Sequence, residues 1–170
     1  MECSIVVNAA GAWGDEIARR AGVHRLRLQT LRRTAAIVAA PPEVASWPMV
    51  MDIEGRWYVL PDAGGLLISP ADETPDEPGD ARPVEHDVAL AIDRVNAAFD
   101  VSIRTVQRSW AGLRTFTPDR VPAVGPDPDE PSFIWLVGQG GAGVKTSPAL
   151  SQIAADAVLG LHPEIGRAHV

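Results

Sequence analysis

The sequence predicts an α/β fold interrupted by a second, antiparallel β sheet. Three observations carry this. Both ends of the chain read as a strand followed by a helix, at 4–21 and again at 133–159. The stretch between them reads as short strands with hairpin signals, plus one helical stripe. The two patterns do not interleave, so the chain leaves one layered domain, builds a second sheet and returns. Both ends then belong to the same domain.

Taken in order, residues 4–9 are apolar and β-branched and predict a buried strand. Gly11 follows, then a short helix over 14–21 closed by Gly22. A long strand over 26–40 is stopped by Pro41 and Pro42. Residues 49–53 and 56–60 flank Glu54 and Gly55, a hairpin signal, and 66–69 add a third antiparallel strand. Residues 70–83 are rich in Pro, Asp, Glu and Gly and predict an exposed loop. Over 84–99, Val88, Ile92, Val95 and Phe99 recur at helical spacing, so one face packs on a sheet. A strand follows at 101–109, a turn-rich stretch at 117–131 and a buried strand at 133–137. Ser147 suits a helix N-cap and Pro148 the first helical position, which predicts a helix over 147–159. There is no internal repeat.

Composition bounds the function classes. The chain has 170 residues, 46% hydrophobic and 22% charged, as in a modest soluble domain with a core. No apolar run approaches the roughly 18 residues of a membrane helix, and no basic-then-apolar start marks a signal peptide. The formal charge of −7 argues against nucleic acid as a partner. Cys3 is the single cysteine, which excludes an internal disulfide and fits a reducing, cytoplasmic setting. His24, His86, His162 and His169 are scattered and form no metal-ligand spacing with Cys3, so no metal is expected. Residues 164–170, EIGRAHV, read as the translation of a sequencing adapter and are set aside. The native chain is then expected to run on past Pro163.

Gly138, Gly140 and Gly143 spell G-x-G-x-x-G after the strand at 133–137, the pattern of a dinucleotide-binding loop. That pattern needs the helix to begin within the glycines, so that its N-terminus meets the pyrophosphate. Here the start signals come later, at Ser147 and Pro148, and the acid expected about 20 residues on falls in the set-aside tail. The dinucleotide reading is rejected. Two readings remain open: a bare backbone surface with Lys145 beside it for an electron-rich ligand, or a tight strand-to-helix connection with a solvated lysine.

Four blocks, "VVNAAGAWGDEIARRAGV", "WPMVMDIEGRWYVLPDAGGLLISPA", "WAGLRTFTPDRVPAVGPDP" and "VGQGGAGVKTSPA", together resemble the C-terminal half of the D-amino-acid oxidase superfamily of flavoenzymes, nearest to its D-arginine dehydrogenase branch. The resemblance covers nearly the whole chain up to Gly160. It implies an incomplete FAD-binding, Rossmann-like domain, 1–22 and 118–163, with an inserted antiparallel-sheet substrate domain, 23–117. The family's own G-x-G-x-x-G is absent, which implies a missing N-terminal half. The implied cofactor is FAD. The implied reaction oxidises the Cα–N bond of an amino acid, of D configuration, by hydride transfer to flavin. The resulting imino acid hydrolyses to a 2-oxo acid and ammonia.

The resemblance also assigns sites. Ala10, Gly11 and Trp13 lie in the segment that passes the FAD nucleotide, although Trp13 reads equally as a packing residue. Gly138, Gly140, Gly141, Ala142, Gly143, Val144, Lys145 and Thr146 are assigned to the pyrimidine edge of the flavin ring, where Lys145 and the helix N-terminus would stabilise charge around N1 and the C2 carbonyl. Arg33 and Arg114 stand at the carboxylate-binding positions, and a guanidinium fork matches a carboxylate. Arg32 and Arg33 point to opposite faces of a strand, so one enters the pocket while the other meets solvent, and the pattern favours Arg33. Tyr58 matches a tyrosine that lids the substrate. No side chain is assigned as a catalytic acid or base. Ala142 and Lys145 depart from the D-arginine dehydrogenase pattern, and the lysine is more like that of sarcosine oxidases. A sarcosine- or glycine-type amine oxidase and an inert, non-catalytic fragment are the alternatives.

Overall fold

The computed structural model describes residues 3–62 and 64–161. Met1, the histidines at 162 and 169 and the adapter-like 164–170 lie outside the described residues. The chain divides into two compact units, Met1–Thr30 with Arg114–Val170, and Leu31–Leu113.

The first unit holds a three-stranded sheet with helices on both faces. Strand β1 (Val6–Asn8) is followed by a 3-10 turn at Gly11–Trp13 and helix α1 (Gly14–Ala21). Gly22, at φ 75°, ends α1 in the left-handed conformation, and its N–H donates to the carbonyls of Ala18 and Arg19. On the exposed face of α1, Glu16 takes hydrogen bonds from Arg19 and Arg20, and these hold its carboxyl at about 2, below the ordinary 4.5. The long strand β2 (Gln29–Val38) begins at the end of this segment.

The second unit is an antiparallel sheet covered by one helix. Its further elements are β3 (Val50–Met51), β4 (Tyr58–Asp62), β5 (Gly65–Ser69), β6 (Thr74–Pro75), α2 (Glu85–Ala98) and β7 (Val106–Phe116). The strand order is β3-β4-β5-β2-β6, and β7 also pairs with β2. Val50 faces Val59 and Met51 faces Tyr58 across the expected hairpin. The core joins Ala36, Val38, Val59, Leu66 and Ile68 of the sheet to Ala91 and Val95 of α2. Val88, Ile92 and Phe99, the rest of the stripe, pack around it. The Phe99 ring meets Trp47 at 4.9 Å and, edge-on, Trp57 at 5.7 Å between centroids.

The chain then returns to the first sheet through β8 (Ala123–Pro126), β9 (Phe133–Val137) and α3 (Gly143–Val158). The order is β1-β9-β8, with β1 parallel and β8 antiparallel to β9. Strand β9 is covered on both faces, so it is a continuous apolar run. Phe133, Trp135 and Val137 pack with Ala18 of α1, while Leu136 packs with Ile153 and Ala154 of α3. Trp135 Nε1 donates to the buried Asp127 at 3.0 Å, whose other carboxylate oxygen caps the turn at Asp129 and Glu130.

Four expectations are corrected. The first strand is not buried: Val6 and Val7 are exposed, and only Asn8 is enclosed, because β1 sits at the edge of its sheet. The strand predicted at 101–109 lies further on, over β7; Ser102 takes a positive φ of 48° and Ile103 turns into the core, its N–H on Asn96 Oδ1. The turn-rich 117–131 contains β8, whose Pro and Gly concealed a strand that pairing with β9 imposes. The loop at 70–83 contains the two-residue β6.

Candidate functional site

The parallel pairing of β1 and β9 aligns their ends: Asn8 faces Trp135. The loops that follow the two strands, 9–13 and 138–142, therefore leave the sheet at the same carboxyl edge, where open α/β sheets bind ligands. Asn8 fixes the first loop. It is 1% exposed; its Nδ2 donates to the Gly14 carbonyl at 2.8 Å and its Oδ1 accepts the Ala10 N–H at 3.3 Å. Ala10 and Gly11 are half-buried in this loop and Trp13 is 48% exposed, so its ring is not a core residue among the described ones. The sequence signal for Asn8 is a lone amide closing an apolar run, and its role was not anticipated.

The second loop is the glycine loop, and it is built on the end of β7. The Gly140 N–H donates to the Thr115 carbonyl at 2.8 Å, and Phe116 and Gln139 form an isolated antiparallel bridge. Gly140, at φ 53°, lies against the Phe116 ring where a Cβ would clash, and the Arg120 guanidinium covers that ring at 4.1 Å from its centroid. Arg114, half-buried on the same strand end, places its guanidinium against Gly141. Among the described residues no carboxylate, carbonyl or hydroxyl bonds that guanidinium.

Helix α3 starts at Gly143, the last glycine of the motif, and not at Ser147. The premise that the helix begins beyond the glycines is thereby overturned. Pro148 lies inside the helix and lacks the N–H that would bond the Val144 carbonyl. Ser147 Oγ donates to that carbonyl instead, at 2.9 Å. The residue that reads as a cap is a repair for the proline. Thr146 donates its N–H and Oγ1 to the Ala142 carbonyl at 3.0 and 2.9 Å. Val144 and Lys145 are exposed in the first turn of α3, which has no acidic residue, whereas α1 opens with Asp15 and Glu16. Asp15 is engaged as a cap for the N–H groups of Leu26 and Leu28. Among the described α-helices, only α3 presents an unopposed positive end.

In the second unit, Arg33 and Arg32 are both largely enclosed, their side chains 12% and 15% exposed. Arg33 Nε donates to the Asp72 carbonyl at 2.7 Å and Nη2 to Glu73 at 3.3 Å. Asp72 is itself fixed, its carboxylate accepting the Thr34 N–H at 2.7 Å and Oγ1 at 3.0 Å. Arg32 does not meet solvent as expected: it pairs with Asp87 at 3.1 Å and Asp76 at 3.5 Å, with Asp72 at 4.0 Å. Tyr58 is half-buried on β4 opposite Ser69, with no hydrogen bond to its hydroxyl among the described residues. No group of His, Cys, Asp and Glu that could hold a metal ion occurs among the described residues. Nor is any described helix long and apolar enough to cross a membrane.

A family model described as "FAD dependent oxidoreductase" (DAO) matches residues 1–157. The FAD-dependent oxidoreductase domain-containing protein 1 of Xenopus laevis is 29% identical over 94% of this chain. Glycine oxidase of Geobacillus kaustophilus is 26% identical over 90% of it. The chain spans 35% and 40%, respectively, of the length of these relatives. The crystal structure of that glycine oxidase aligns with a TM-score of 0.76 at 24% identity, over 98% of this chain and 46% of that one. The structure of L-proline dehydrogenase from P. horikoshii aligns with a TM-score of 0.79 at 24% identity, over 93% and 43%. The relatives do not single out the D-arginine dehydrogenase branch.

Proposed function

The chain belongs to the DAO family of FAD-dependent oxidoreductases, and from that premise we propose that it forms the substrate-side portion of an enzyme oxidising the Cα–N bond of an amino acid. FAD is the family's cofactor and supplies the two-electron acceptor when bound. The residues present fit it. Gly138, Gly140 and Gly141 let the loop backbone lie close against Thr117, Phe116 and Arg114, and the α3 N-terminus with Lys145 offers positive charge without a competing acid. We assign Gly138, Gly140, Gly141, Ala142, Gly143, Val144, Lys145 and Thr146 to the flavin ring, and Ala10, Gly11 and Trp13 to the nucleotide. The ADP-binding fingerprint is proposed to lie on a further segment outside these residues, and the enzyme to act in the cytoplasm.

One observation carries the substrate assignment: Arg114 is a half-buried guanidinium with no anion among the described residues, held beside the glycine loop. A fork of N–H donors in that state is suited to a carboxylate. Arg114 binds and orients the substrate carboxylate, which fixes Cα relative to the loop. Arg33 and Tyr58 are proposed as further substrate contacts; Arg33 would exchange Glu73 for substrate while Asp72 keeps its orientation. A D-amino acid is the proposed substrate. The likeness to glycine oxidase favours a second reading, a glycine- or sarcosine-type amine substrate.

The test is Arg114→Ala in the full-length, FAD-loaded protein. Removing one partner of a desolvated charge pair costs about 2–5 kcal/mol, roughly 30-fold to several thousand-fold in kcat/KM. The loss is expected for every amino acid alike, with a normal flavin spectrum. Near-normal kcat/KM would sink the amino-acid reading; loss of FAD instead would move Arg114 to the cofactor site. Substrate profiling of the unmodified enzyme separates D-amino acids from glycine and sarcosine.

A further inference from the structure

Gly141 poses a question that the cofactor assignment does not answer. It is exposed, and its backbone is not in the left-handed region, unlike Gly138 and Gly140 at φ 78° and 53°. Backbone conformation therefore does not require glycine there. Space does. A Cβ built on Gly141 would lie 2.8 Å from Arg114 Nη1, 3.3 Å from Cζ and 3.7 Å from Nε. No other atom is among its three nearest neighbours. The atoms nearest to that Cβ position all belong to the Arg114 guanidinium.

We propose that Gly141 is a positioning residue for Arg114. By lacking a side chain it lets the guanidinium lie directly against the glycine loop, and so fixes the distance between the bound carboxylate and that loop. The inference rests on the proposed role of Arg114 as the carboxylate-binding residue. Two rigid supports stand behind the arrangement. Gly140 N–H is tied to the Thr115 carbonyl, and the Phe116 ring is clamped between Gly140 and Arg120. The loop is thus tied to the strand end at Gly140, next to Arg114, and among the described residues nothing bonds the guanidinium, so it is the part that gives way. A methyl group at position 141 would displace it, because the end of an arginine moves far more cheaply than clamped backbone.

The substitution Gly141→Ala tests this in the full-length, FAD-loaded protein, with acetate as the simplest carboxylate probe and calorimetry as the readout. Acetate binding is expected to weaken about ten-fold, the loss of roughly one charge-assisted hydrogen bond. Flavin content and Tm are measured alongside, and a loss of bound flavin or of fold that accounts for the weakening would overturn the positioning role. In an Arg114→Ala background, Gly141→Ala should change acetate binding no further, since the group it displaces is gone. If Gly141→Ala binds acetate normally while Arg114→Ala does not, the positioning role is wrong and the proposed function survives. An equal weakening in both backgrounds also overturns it, because the effect then runs through the loop backbone. If Arg114→Ala itself leaves acetate binding intact, the functional reading fails first.

Discussion

At the scale of single residues, charge placement decides what each loop can do. Lys145 stands exposed in the first turn of α3 with no acid beside it. If it faces the flavin as proposed, its charge favours the reduced, anionic ring. Lys145→Met should then lower the flavin midpoint potential and slow flavin reduction, with little change in acetate affinity. Spectroelectrochemical titration measures this; an unchanged potential would leave Lys145 a solvated lysine. The arginines show why sequence could only go part of the way. Strand alternation predicts one buried and one solvated arginine, yet Arg32 and Arg33 are both enclosed, each by carboxylates or carbonyls of other loops. Arg32 finds Asp76 and Asp87 from distant stretches of chain, and Asp72 braces Arg33 through its backbone carbonyl. Such pairings depend on which loop returns to which strand, and residue types in one dimension do not record that.

Elements were legible wherever local signals and packing agree. Helix α1 and strand β9 stand where apolar periodicity and the flanking turns put them. Helix α3 shows the limit. Ser147 and Pro148 carry the chemistry of a helix start, yet the helix begins four residues earlier and absorbs the proline. Ser147 Oγ makes the absorption tolerable by bonding the Val144 carbonyl. Ser147→Ala should therefore cost about 0.5 kcal/mol, the low end for a solvent-accessible hydrogen bond. In a Pro148→Ala background the cost should vanish, because the restored N–H takes the same carbonyl. Thermal melts of the two single variants and the double variant decide this; equal costs in both backgrounds would mean that the Ser147 bond does not compensate for Pro148. β8 was concealed for a related reason. Its Pro and Gly speak for a turn, and only the neighbouring β9 makes it a strand.

At the scale of the molecule, the alternation of strand-helix ends with a hairpin-rich middle was the most readable feature, because patterns of 3.6 and 2 residues are set by burial on one face. Among the described residues, each unit has its own apolar clusters. Leu66→Ala, at a fully buried site, should cost about 2–5 kcal/mol. Hydrogen exchange should show the lost protection first at amides of Leu31–Leu113, with β9 amides retaining theirs; equal loss at β9 would mean that both units open as one. The β1–β9 pairing has a consequence in time. Val6–Asn8 pairs with Phe133–Trp135, and everything from β2 to β8 lies between. At about 5–20 residues per second, a ribosome delivers β9 roughly 6–25 s after β1. Throughout that interval the apolar Ile5, Val6 and Val7 lack the neighbour that completes their edge. The carboxyl edge that gathers the two loops thus forms only after the whole hairpin-rich unit has been made.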